Sequence, residues 1–411
     1  MFEIVSAGRR AIVAGVILSA LAACGSEVDV EATGAGGGGS ASSASSGDTS
    51  VSSSSTGGSG GGGGLPAPTC APGEAAIVAA VGWQSGKVIV HHEGKWVTPS
   101  YPMQGADRMT TYVDVYGHLG VFWTETSTDS ALSHFMVTSD GASFDLRDVH
   151  GWFPLVPSPV LTVGVSLLLG NAGEGSSLAH FDPDAYDWYP YPKLAPFALT
   201  SAVRTYTEGS VLGVGLGPQN VLCDAQVFWA DGGGWTEPHC RDDVKVFMGN
   251  EIPVAPPQAV VLPNDDVVVV YHETYARIAA TRLHNGVWSA PESIKLEIQS
   301  LEPAVTATPA GDVIVALPST SGALSALRFV PGMGWGELVA IDKAASSTLS
   351  IGAAPGICGD DALIAYAGGG IDGEVRVARL RGDTAEVSTI GSFTEQVPNN
   401  IRITTRPGFS P

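Results

Sequence analysis

The chain has 411 residues, with 20 Lys and Arg against 41 Asp and Glu, for a formal charge of −21. Such a field repels phosphate and argues against nucleic acid as a partner. Nine Trp, ten Tyr and twelve Phe exclude disorder throughout, while 53 glycines in a chain only 15% charged divide it into linker and turn-rich fold.

Residues 1–23 read as an export signal. Arg9 and Arg10 close a basic start, and an uncharged run from Ala11 to Ala23 leads into Leu21-Ala22-Ala23-Cys24. Thirteen apolar residues are too few to span a bilayer, which takes roughly 20. Leu-Ala-Ala-Cys resembles the lipobox of bacterial lipoproteins. That resemblance implies cleavage before Cys24, acylation of its thiol with palmitate-type chains, and a membrane-anchored protein of the cell envelope. Gly25 stands where an aspartate would mark inner-membrane retention, so the outer membrane is the expected location.

Residues 24–69 are expected to form a tether. From Gly25 to Gly64 the chain is nearly all Gly, Ser, Ala and Thr, which cannot bury a core. Forty such residues reach roughly 35 Å.

From Glu74 onward, short strands alternate with Gly, Pro and Asp turns, as in Lys87–Val90, Val267–Tyr271, Val313–Leu317 and Val375–Leu380. A Gly-x-Trp or Gly-Trp cadence recurs at Trp96, Trp235, Trp288 and Trp335, with looser versions at Phe144 and Trp188 and a last one at Val387 that has lost its aromatic; the seven anchors are spaced 48, 44, 47, 53, 47 and 52 residues apart. Residues 303–341 lay out one unit of four successive strands. The reading is all-β: residues 70–411 form a seven-bladed β-propeller of four-stranded antiparallel blades. The first unit shows three strands, and Asn400–Thr405 is a lone strand beyond the last anchor. The C-terminal strand is therefore expected to pair with the first blade and close the ring, removing its open edges.

Once Cys24 is assigned to lipid, Cys70, Cys223, Cys240 and Cys358 remain. An even number in an exported chain suggests two disulfides, with three connectivities possible. The repeat favours Cys223–Cys240 within the fourth unit, which leaves Cys70–Cys358. No Cys-x-x-Cys or Cys-His spacing supports a metal site. His91 and His92 are adjacent on a strand and point to opposite faces, so no metal and no cofactor is expected.

The Gly-x-Trp-Ser-x-Pro cadence resembles sialidase-like and fungal-lectin-like propellers, and Thr138–Phe144 resembles a shortened Asp-box of the sialidase type. Sialidase catalysis would imply an arginine triad, a Tyr-Glu pair and an acid/base aspartate. This acid-rich, arginine-poor chain has no Arg-Ile-Pro motif near its first unit, so no catalytic residue is carried over.

Propeller ligands sit where loops join second to third strands, expected here at 82–84, 123–125, 171–174, 219–220, 272–274, 319–320 and 371–373. Of these, Trp83, Trp123, Glu125, His272 and Glu273 are the best equipped to bind a glycan, with aromatic planes for sugar rings and carboxylates for hydroxyls. The expectation is a monomeric recognition module, anchored to the membrane through Cys24, that binds a glycan or another envelope component. The alternatives are a glycoside hydrolase or lyase of sialidase-like fold, and a structural partner of an outer-membrane complex.

Overall fold

The computed structural model describes residues 70–406, apart from 72, 83–84, 99–102, 105, 114–116, 127–130, 140–142, 150–157, 163–164, 173–174, 183–186, 191–194, 205–209, 229–233, 249–255, 344, 346–349, 370–372 and 395–396. The expected signal, Cys24 and the tether lie outside these residues, as does the centre of the Asp-box-like segment.

Among the described residues the fold is all-β. Its one helical turn is the 3-10 segment Pro218–Asn220, and no helix is long and apolar enough to cross a membrane. The strands form sheets of four, or of four with a fifth short strand, and every pairing is antiparallel. Sheets are numbered here in chain order, and seven are described. The fourth runs Ala198–Arg204, Ser210–Leu216, Val221–Phe228, His239–Lys245. The fifth runs Gln258–Val261, Val267–Thr274, Arg277–His284, Val287–Trp288. The first sheet departs from this plan. Its strands Ala75–Val81, Ser85–His92 and Lys95–Val97 are joined by Asn400–Arg406, which pairs with Ala75–Val81 and sets Ile401 opposite Ala80 and Ile403 opposite Val78.

The packing explains the hydrophobic pattern. Ala75–Val81 and Val313–Pro318 are buried at every position, because each lies under neighbouring sheets on both faces. Side chains alternate along a strand, so each residue's parity decides which neighbour it meets. Ala75, Ile77 and Ala79 pack with Met109, Val121 and Trp123 of the second sheet. Ala76, Val78 and Ala80 pack with Leu363 and Ala365 of the seventh. In the same way Val268 and Val270 face the sixth sheet, while Val267, Val269 and Tyr271 face the fourth. Last strands such as Thr384–Ser392 are largely exposed.

Leading strands touch in succession, Ala198–Arg204 against Gln258–Val261, then Ala304–Ala307, then Ile351–Pro355. Asn400–Arg406 meets both Ile351–Pro355 and Ala106–Val113.

Three of the repeat tryptophans, Trp96, Trp288 and Trp335, pack against a core shared with a neighbouring sheet. Trp335 of the sixth sheet packs against the core shared with the fifth, and its Nε1 donates to Glu292 O at 2.8 Å. Two-residue turns set the hairpins: Asn285 and Gly286 both adopt positive φ (49° and 75°) and place His284 opposite Val287. Asn-Gly suits this turn, since its backbone twist matches that of the strands.

Cys70–Cys358 and Cys223–Cys240 are both disulfides. The first joins the start of the described chain to the turn between Ile351–Pro355 and Ala362–Ala367. Glu74 supports that turn by accepting the Cys358 N–H at 2.9 Å.

A buried carboxylate supplies the fifth sheet with a pH-dependent brace. Asp266, whose side chain is 4% exposed, accepts from Arg282 Nε and Asn264 Nδ2 at 2.7 Å each and meets His284 Nδ1 at 2.6 Å. Burial pushes its pKa up, but the bonds from His284, Arg282 and Asn264 together with the Arg282 charge outweigh it, and the carboxyl titrates below its ordinary value. Its contribution is therefore complete above the ordinary aspartate range, near pH 4, and is lost as pH falls through the lowered value. Asp266→Asn is expected to cost about 1–3 kcal/mol at neutral pH. The gap between the two proteins should close toward pH 2 in paired denaturation curves; a gap independent of pH would remove Asp266 from this role.

Candidate ligand-binding site

Of the five residues expected to form a ligand surface, three have described side chains: Trp123 and His272 are buried and Glu273 is half-buried. Trp83 lies outside the described residues, as does the side chain of Glu125. The backbone of Glu125 sits within the strand Leu119–Thr126, paired with Ala106 and Leu132. Trp123 is 4% exposed, stacks on His134 with ring centroids 5.2 Å apart, and belongs to the core between the first two sheets. This corrects its placement on a loop: the strand runs on through 126, and the indole points between sheets.

His272 is corrected for the same reason, since its strand continues to Thr274. Its imidazole is fully buried and its nitrogens lie 3.2 Å from Thr274 O and 3.1 Å from Leu301 O. Burial lowers its pKa against the opposing pull of those two carbonyls, so it is a neutral packing residue. Glu273 is half-buried, accepts from Ser293 Oγ at 2.8 Å and stands 3.8 Å from Arg277, which ties its carboxylate to its own sheet.

His91 and His92 diverge as their strand requires. His91 is buried against Trp96, and His92 lies 3.7 Å from Glu93 at the surface. His91 does come within 4.8 Å of the sulfurs of Cys70 and Cys358, a spacing that could hold a metal, but the disulfide occupies both sulfurs. Burial, and then the Arg379 charge, lower the His91 pKa.

The polar concavity lies elsewhere, between the fourth and fifth sheets. A cleft of about 570 Å³ is lined by His239–Asp243 on one side and Gly286, Val287 and Trp288 on the other. Asp224 organises it. Its Oδ1 lies 3.0 Å from His239 Nδ1 and accepts from Trp288 Nε1 at 3.0 Å, so an imidazole of one sheet and an indole of the next meet on a single carboxylate oxygen. Burial raises the Asp224 pKa, and its bonds to His239 and Trp288 oppose that rise only in part.

Arg241, 8% exposed, donates to Thr281 Oγ1 at 2.8 Å and to Ser289 O at 2.9 Å, and so braces the floor. Its outer edge holds Asp243 at 2.7 Å, leaving that carboxylate 62% exposed at the rim and well below the usual carboxylate range, chiefly through this bond. The cleft thus offers an indole edge, an exposed imidazole, the apolar Val287 and an ionised carboxylate. It can contact an apolar face through Val287 and the indole edge and accept hydroxyl hydrogens at Asp243.

Sequence reasoning missed this site because it read Trp288 as a repeat marker. The signal that could have found it is the charged run His239–Asp243 one repeat before that tryptophan.

No protein-family model matches the chain, and no curated protein matches its sequence. Solved structures are similar in fold. A candidate 6-phosphogluconolactonase of Bacteroides uniformis is 11% identical at a TM-score of 0.55, covering 80% of this chain and 99% of its own. The BP39L lectin of Burkholderia pseudomallei is 14% identical at 0.53, covering 79% and 97%. At these identities the likeness shows the fold alone, a β-propeller.

Proposed function

We propose that this chain is a lipid-anchored recognition module of the cell envelope that binds a glycan in the cleft between its fourth and fifth sheets. In this reading the seven sheets are blades of one ring, and the pairing of Asn400–Arg406 with Ala75–Val81 is the seam. The observation that carries the binding role is the meeting of His239 and Trp288 on Asp224 beside the exposed Asp243. An indole edge beside an ionised carboxylate offers a sugar ring an apolar contact and a hydrogen-bond acceptor, and a lectin shares the fold.

A glycan array with the full-length chain is expected to return a ligand whose affinity falls about tenfold in Trp288→Ala, a loss of about 1.4 kcal/mol. His239→Ala changes a side chain 63% exposed. It should weaken the same ligand without altering the melting curve. An empty array together with an empty envelope pull-down would end the reading, and turnover of a phosphogluconolactone would replace it with an enzyme. Anchoring is tested separately, by labelled palmitate incorporation that Cys24→Ser abolishes.

A further inference from the structure

A second cavity, of about 320 Å³, is lined by the leading strands of several sheets, among them Ala198–Arg204, Gln258–Val261, Ala304–Ala307, Ile351–Pro355 and Asn400–Arg406. It is independent of the outer cleft and shares no residue with it. Most of its polar lining is committed to holding the strands together. Thr200 Oγ1 donates to Pro257 O at 3.0 Å, Gln258 Nε2 to Pro303 O at 2.6 Å, and Thr405 Oγ1 to Pro355 O at 2.9 Å. Thr404 and Thr111 share a hydroxyl contact of 2.9 Å.

Two charged residues on this wall are not committed. Arg402 donates from Nη1 to the neighbouring Ile401 O at 2.9 Å, but its buried Nε has no partner. Glu302 stands at the wall just ahead of Ala304–Ala307 and forms no ion pair among the described residues. The two lie near enough for each charge to act on the other, yet they do not meet within the 4.0 Å of an ion pair. Burial holds the Arg402 pKa below its usual value and pushes that of Glu302 up, and each charge partly relieves the other.

The unpartnered Nε of Arg402 is costly to bury, whereas Glu302 is exposed and lines the same cavity. Arg402 stands within Asn400–Arg406 and Glu302 just ahead of Ala304–Ala307, with no ion pair between them. The free Nε edge of a guanidinium matches a carboxylate. The carboxylate of Glu302 matches an ammonium.

We propose that this cavity binds a small zwitterion of the α-amino acid class, its carboxylate on Arg402 and its ammonium on Glu302. The cavity lies at the small end of the ligand-pocket range, which suits a molecule of that size. The ligand supplies the bridge that the two side chains cannot make themselves.

Calorimetric titration of the full-length chain tests this with glycine, L-alanine and L-serine as zwitterions, and with propionate and ethylammonium as probes carrying one charge each. At least one zwitterion is expected to bind, with propionate and ethylammonium at least tenfold weaker. Arg402→Gln and Glu302→Gln should each lose at least tenfold, and His239→Ala in the outer cleft should lose nothing. Glu302→Gln replaces an exposed side chain, so it keeps the test decisive if Arg402→Gln does not fold. Absence of binding by all three zwitterions, binding that survives Glu302→Gln, or propionate bound as tightly as alanine would each overturn the proposal.

Discussion

Removing residues 400–411 is expected to abolish cooperative unfolding. Seven residue pairs join Asn400–Arg406 to Ala75–Val81, and their loss would expose the backbone of a strand that is buried at every position. An apolar strand with an unpaired edge is a template for association with other chains. Ile401 and Ile403 also fill the core shared with Ala76, Val78, Ile89 and Leu363. Ile401→Ala and Ile403→Ala are the graded form of the same experiment, and each should cost about 2–5 kcal/mol in denaturant melts. A truncated chain that stayed monomeric with an unchanged midpoint would show that this strand does not close anything.

The second large effect concerns Cys70–Cys358. Its two cysteines are 288 residues apart, against 17 for Cys223–Cys240. If a disulfide acts by restricting the unfolded chain, the long loop is worth roughly 6 kcal/mol and the short one roughly 3. Replacing Cys70 and Cys358 by Ser should therefore lower stability more than replacing Cys223 and Cys240. Glu74 would still hold the Cys358 N–H, so the turn itself should persist. Equal losses in guanidinium melts of the two double variants would show that local strain and packing, and not loop closure, set the contribution.

The repeat was legible because each unit solves the same packing problem. A Gly-x-Trp turn that lets Trp288 or Trp335 reach the preceding sheet leaves a mark every 44 to 53 residues. Both disulfide pairings were legible once the repeat placed Cys223 and Cys240 on neighbouring strands, where they lie directly opposite. Strand ends were not legible. His272 and Trp123 look like rim residues by type, yet two sheets pressed together can bury an imidazole between carbonyls or an indole against a histidine. The cleft was invisible for a different reason. Nothing in the spacing of Asp224, His239 and Trp288 says that they converge, because that depends on how one sheet lies against the next.

The covalent link at Cys70 also decides how the folded unit responds to mechanical load. Tension arriving at Cys70 divides between the main chain toward Ala75–Val81 and the sulfur bridge into the turn at Cys358. That strand cannot be peeled away one hydrogen bond at a time from its amino end. Force applied there must shear the first sheet and the seventh together.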